Sequence, residues 1–127
     1  MRLLSHRVIF DPTQQRTVDA LLRQCQAAPW GTPLIKDARL ALGDRVFDVL
    51  ARRRVLVALN PDVFLLAETY DHAIARIREA LARDGAINAA QARDLFGTTR
   101  KYALALLEHL DAVGITQRVG DARVLRD

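Results

Sequence analysis

The sequence predicts a mainly α fold with small β-hairpins, organised as two tandem winged-helix (helix-turn-helix) domains, residues 1–68 and 69–127. Three observations carry this reading. Apolar residues recur at helical spacing in segments closed by proline or glycine. Each half ends in an apolar run, a turn and a second apolar run, the pattern of a β-hairpin. The order helix, helix, helix, hairpin occurs twice, and three helices closed by a two-stranded wing make the winged form of the helix-turn-helix. Shifting the first half by 54 residues places Gly31, Ala38, Arg39 and Gly43 on Gly85, Ala92, Arg93 and Gly97, in keeping with a duplication.

In the first half, Asp11-Pro12-Thr13 opens a helix predicted over 12–27. Asp11 is the candidate N-cap, proline is tolerated at the first helical position, and Val18, Leu21, Leu22 and Cys25 form the apolar stripe. Pro29, Gly31 and Pro33 break the chain, and Trp30 between them reads as an aromatic plug over the first core. A short helix near 34–42 leads to Gly43, after which Asp44 is expected to cap a third helix running to about Arg54. Val55 to Leu59, Asn60-Pro61-Asp62 and Val63 to Leu66 form the first hairpin, whose apolar strands fit inter-domain packing better than a docking surface.

The second half opens near Tyr70 with Ile74, Ile77 and Leu81 at helical spacing and stops at Asp84-Gly85. A short segment at Ala86-Ile87 and a helix near 89–96 precede Gly97. A long helix follows, with Ala103, Leu106, Leu107, Leu110 and Val113 expected on one face, ending at Gly114. Ile115 to Val119, Gly120-Asp121 and Ala122 to Leu125 form the second hairpin.

Half of the residues are apolar and 27% are charged, the mixture of a globular protein rather than a disordered tail. The single cysteine has no disulfide partner, which fits a reducing compartment, and no apolar run approaches the roughly 18 residues that cross a bilayer. With no signal-peptide pattern at Met1-Arg2-Leu3-Leu4, a cytoplasmic monomer without membrane attachment is expected. The net charge of +4 favours an acidic partner. Residues 1–69 carry 10 basic and 7 acidic side chains and residues 70–127 carry 9 and 8, so a binding patch must be local.

The third helix of the second half breaks a local rule. With Thr98 as N-cap, its first turn holds Arg100 and Lys101, where the positive end of the helix dipole disfavours cations by a few tenths of a kcal/mol to about 1. Backbone N–H groups, the hydroxyls of Thr98 and Thr99 and two cations converging there suit a phosphate, and Arg100 can also grip a base edge bidentately. The same pair also fits a solvated helix start. In the first half the third helix begins on Asp44 and carries Arg52, Arg53 and Arg54 at its other end, where the dipole welcomes cations, so it reads as structural. The second wing carries Arg118, Arg123 and Arg126; alternation lets Val119 pack inward while Arg118 faces out, either for binding or for protection of an edge strand. Arg93 lies near this patch, but its counterpart Arg39 argues for a shared structural role. Tyr102 either stacks on a base or anchors its helix. The chain has no GxxxxGK[ST] phosphate loop and no GxSxG elbow, and His6, His72 and His109 are scattered over different elements, so an enzyme is not expected.

Ala92-Arg93-Asp94, then Thr98-Thr99-Arg100-Lys101-Tyr102-Ala103, Leu107-Glu108, Asp111, Gly114, Thr116 and Arg118 to Leu125 closely resemble the C-terminal winged-helix domain of the bacterial selenocysteine-specific elongation factor. His6 to Phe10, Pro12, Gln14-Gln15 and Val18-Asp19 resemble the preceding winged-helix domain of that family. Three positions depart from its pattern: Ala92 where an aromatic is common, Thr99 where serine is usual, and Gln117 where a basic residue is frequent.

The resemblance implies a module that grips the selenocysteine insertion hairpin of messenger RNA and tethers a translational GTPase for incorporation at UGA. It implies RNA contacts from Arg93, Thr99, Arg100 and Lys101, with Arg118 and Arg123 in the wing. It implies no cofactor in this chain; GTP and Mg would bind the factor's G domain, and the ribosome and selenocysteinyl-tRNA would be reached through other domains. The rival from another class is a winged-helix transcription regulator reading duplex DNA with the same helix.

Overall fold

A computed structural model describes residues 10–126, so Met1 to Leu4 and the His6 to Ile9 part of the family resemblance lie outside the described residues. Helix α1 (Pro12–Ala27) starts on a reciprocal capping box: Gln14 N donates to Asp11 Oδ1 at 2.7 Å and Asp11 N to Gln14 Oε1 at 3.0 Å. It buries Val18, Leu21 and Cys25. Burial pushes the Cys25 thiol up to about 11, which keeps it protonated and unreactive at neutral pH.

Helices α2 (Ile35–Leu42) and α3 (Asp44–Arg52) meet at Gly43, whose φ of +89° lies outside the comfortable range of other residues. Asp44 is therefore the first residue of α3 rather than its cap, and its carboxylate pairs with Arg39 at 3.1 Å. Helix α3 also stops short of the expected Arg54, because that residue turns to a φ of +58° and joins Asp71 at 3.0 Å. Strands β1 (Leu56–Ala58) and β2 (Phe64–Leu66) form the antiparallel hairpin, with Leu56 opposite Leu66 and Val57 opposite Leu65.

Helix α4 (Ala67–Asp84) follows β2 without a linker, so a division at 68/69 falls within its first turn. It ends at Gly85 in the left-handed conformation. Strand β3 (Ile87–Asn88), helices α5 (Ala89–Phe96) and α6 (Arg100–Ala112), and strands β4 (Thr116–Val119) and β5 (Ala122–Leu125) complete the second half. The segment read as Ala86-Ile87 contributes a third strand, giving the order β3-β5-β4. The fold is thus mainly helical with small antiparallel sheets. None of the described helices is long and apolar enough to cross a membrane.

Two apolar cores lie on opposite faces of the first hairpin. Leu56, Phe64 and Leu66 point into the core built from α1, α2 and α3. Val63 and Leu65 point into the other, with Ile77 of α4 and Leu106, Leu107 and Leu110 of α6. All three β2 residues are buried, which identifies the hairpin as packing between the halves. Val113 departs from the expected face and is 53% exposed, because α6 has ended and the chain is turning toward Gly114.

His109 of α6 closes the same junction: its Nε2 lies 2.9 Å from the Tyr70 hydroxyl, and a backbone hydrogen bond ties the ring to Leu59. Burial lowers its pKa below the ordinary 6.5, outweighing the Leu59 bond that raises it.

Leu65→Ala should cost about 2 to 5 kcal/mol and lower a single unfolding transition seen by calorimetry, since the side chain serves the core joining both halves. Because the folded His109 pKa is depressed, its contribution to stability is present above pH 6.5 and is lost as pH falls through the lower folded value. The unfolding temperature should fall between pH 7 and pH 5, and His109→Gln should flatten that dependence.

Candidate nucleic-acid interface

The turn between α5 and α6 sets the site. Gly97 takes φ +62°, ends α5, and directs the chain into Thr98 and Thr99. Thr99, rather than Thr98, occupies the N-cap of α6, and it makes no side-chain cap bond. The first turn then carries Arg100 and Lys101 with no acidic residue, as the sequence indicated. Both are exposed, and no ion pair among the described residues takes either one.

Thr98 and Tyr102 turn the other way. Thr98 Oγ1 donates to the Trp30 carbonyl at 3.3 Å, and the Tyr102 hydroxyl donates to the Thr32 carbonyl. Trp30 stacks on Phe96 with ring centroids 4.6 Å apart, so it plugs the junction between the halves instead of the first core. Of the two roles open to Tyr102 in the sequence, the geometry supplies the anchor.

The wing reverses the expected parity. Arg118 lies opposite Arg123, and Ile87 lies opposite Arg123 on its other side, so these three share one face of the sheet. Ile87 and Arg123 are buried, whereas Val119 on the alternate face is 55% exposed. What anchors this inverted arrangement is Asp111 of α6: it accepts from Arg123 Nε at 3.0 Å and from the Thr116 hydroxyl at 2.6 Å. With its side chain only 4% exposed, Arg123 is foremost a structural residue. Arg118 stays exposed and donates to the Gly120 carbonyl at 3.0 Å. Arg126 follows the wing, its backbone N–H on the Ile115 carbonyl.

Between the wing, the start of α5 and the first turns of α6 lies a concavity of about 330 Å³, lined by Asn88, Ala89, Arg100, Arg118, Asp121 and Arg123 among others. Three arginines from three elements therefore reach one hollow, with one carboxylate against them. Sequence reasoning named the arginines but missed Asn88, whose capping box with Gln91 was the available signal. Arg93 is 44% exposed on α5, and among the described residues it pairs only with its neighbour Asp94, at 3.2 Å.

Its counterpart behaves differently. Arg39 bonds Asp44 at 3.1 Å and Asp48 at 2.9 Å and lies 4.4 Å over the Phe47 ring. Counted from the helix N-caps, Gly43 and Thr99, the positions of Asp44, Phe47 and Asp48 in α3 correspond to Arg100, Ala103 and Leu104 in α6. Every partner that holds Arg39 is replaced in the second half, so the two arginines do not share a structural role.

This segment also matches a known family: residues 79–125 fit the model described as elongation factor SelB, winged helix. A selenocysteine-specific elongation factor from Desulfomicrobium baculatum is 32% identical over 82 residues, covering 65% of this chain and 13% of that protein. The chain thus spans a small part of the length of the curated relative it matches. Among solved structures, the mRNA-binding domain of SelB from E. coli, in complex with SECIS RNA, superposes with a TM-score of 0.71. The match has 24% identity and covers 93% of this chain and all of that one, a likeness of fold. A bacterial selenocysteine-specific elongation factor, EF-Sec, gives 0.69 with 20% identity, over 98% of this chain and 22% of its own. The fitted range takes in the end of α4, the turn at Gly97, all of α6 and the wing through Leu125.

Asp111 is the brace of this wing. Asp111→Ala should lower stability to urea by about 3 kcal/mol, because it strands the buried Arg123 cation, and Asp111→Asn, which keeps hydrogen-bond acceptance, should cost less.

Proposed function

We propose that this chain is the mRNA-hairpin-binding module of a selenocysteine-specific elongation factor, built as two tandem winged helices that meet at the β2–α4 junction. The observation that carries the proposal is a cationic first turn of α6, free of acidic ion-pair partners among the described residues, whose Arg100 shares one hollow with Arg118 in a segment that fits the SelB winged-helix model. Thr99, Arg100, Lys101 and Arg118 contact the RNA, and Arg93 borders them. Arg123 shapes the hollow through Asp111. Thr98 and Tyr102, named as binding residues on sequence grounds, act through their anchors on the first half.

The mechanism is tethering, with no chemical step. Phosphates sit against the uncapped N–H groups and cations of α6, and bases exposed in the hairpin loop enter the hollow, where arginine donors read their edges. The module acts in the cytoplasm as a monomer and holds no cofactor. GTP, Mg, the ribosome and selenocysteinyl-tRNA are handled by other parts of such a factor, which this module keeps near a UGA codon.

Replacing Arg100 and Lys101 together with alanine should weaken binding of an RNA hairpin roughly 10- to 100-fold and flatten the log–log salt dependence by about 1 to 2, with unfolding unchanged. Filter binding over a salt series measures both. Unchanged affinity would sink the assignment, and a duplex DNA that outcompetes the hairpin at equal salt would establish the transcription-regulator reading instead.

A further inference from the structure

Helix α6 starts with three handicaps. Its N-cap Thr99 makes no side-chain bond, its first turn has no acidic residue, and two cations face the positive end of the dipole. By contrast α1 and α5 both open on complete capping boxes. Something else has to hold the turn that carries Arg100 and Lys101.

We propose that the loop 28–34 of the first half splints the first turn of α6, making Thr98, Tyr102, Trp30 and Thr32 positioning residues for the two cations. This rests on the RNA-binding reading above. Thr98 lies just outside α6, one residue before its N-cap, and Tyr102 lies in its first turn. Both donate to carbonyls of this loop, Trp30 and Thr32. Those two carbonyl oxygens bring to the helix N-terminus the partial negative charge that a Glu or Asp in the first turn normally supplies. The stacked Trp30 and Phe96 rings fix the residue just before Gly97, on the other side of the turn.

The splint is itself held by the hairpin. Thr32 is 3% exposed and its hydroxyl donates to the Phe64 carbonyl at 2.7 Å, while Ile35 N donates to the Asp62 carbonyl at 2.8 Å. The loop is therefore bolted to the hairpin that both cores share. A path of hydrogen bonds runs from Phe64 through Thr32 to Tyr102, and it ends one residue from Lys101. The first half thus contributes to RNA affinity without touching RNA.

The test uses the full chain with the E. coli SECIS hairpin as probe, and three variants: Tyr102→Phe, Thr98→Val and Thr98→Ser. Amide hydrogen exchange at Ala103, whose N–H donates to the Thr99 carbonyl, reads opening of the first turn in the free protein. Losing one anchoring hydroxyl should speed that exchange and weaken hairpin binding, each roughly 3- to 10-fold. The salt dependence should not change, because both cations remain, and Thr98→Ser should behave as the parent. The Arg100/Lys101 double variant should do the opposite, flattening the salt dependence while exchange stays slow. Unchanged exchange in both Tyr102→Phe and Thr98→Val overturns the splint, as does a flattened salt dependence in Tyr102→Phe, which would put that hydroxyl on the RNA. A double variant that binds the hairpin normally overturns the RNA reading instead, and the exchange arm still decides the splint.

Discussion

The structure depends on a short hairpin buried on both faces. Because side chains alternate along a strand, Phe64 and Leu66 serve one core and Leu65 the other, so β2 belongs to both halves at once. A wing of an isolated winged helix has one face in water. Here that face is covered by α4 and α6, and α4 begins at the residue after β2. The relative placement of the halves is consequently set by core packing rather than by a linker. That makes hydrogen bonds across the junction, such as Tyr102 to Thr32, effective at fixing the position of a helix end.

The two halves share an order of three helices and a hairpin, and they differ in the partners that surround the arginine of the middle helix. In the first half Asp44 and Asp48 neutralise Arg39, whose pKa is raised chiefly by the hydrogen bond to Asp48. In the second half the positions of the two carboxylates in the helix hold an arginine and a leucine, and that of the ring holds an alanine. Removing two negative charges and adding a positive one at the same corner turns an internally neutralised helix pair into one with a local cationic surplus. The modest total charge of the chain conceals this, since the surplus arises from the loss of acids as much as from the gain of bases.

Much of this was legible in the sequence. Helix spacing, proline and glycine breaks, and the two apolar runs placed nearly every element, because these signals are local. What failed depended on tertiary neighbours. The wing pattern of Arg118, Val119 and Arg123 argues for valine inward, and it is inverted because Asp111 and Thr116 on the inner side give Arg123 a buried partner network that no pattern along β4 or β5 reveals. Asp44 and Thr98 both look like caps by residue type, yet each sits one position away from the cap, with its side-chain oxygen committed elsewhere. Trp30 reads in the sequence as a plug over the first core, but the surface it covers belongs to the other half, at Phe96.

The same neighbours explain why the cationic turn is tolerable at all. Arg100 and Lys101 oppose the α6 dipole, and Arg118 faces Arg123 across the β4–β5 pair, where like charges repel. Each conflict is met by oxygens held in place by the protein: Asp111 for Arg123, the Gly120 carbonyl for Arg118, and the Trp30 and Thr32 carbonyls behind α6. None of these oxygens caps Arg100 or Lys101 themselves. Their charge stays unpaired among the described residues, and an anion settling on the turn would relieve the repulsion and add to the partial negative charge of those carbonyls. On the proposed RNA-binding reading, relief of that repulsion adds to the contacts an anion makes, which is the physical reason a locally disfavoured sequence suits a phosphate-bearing ligand.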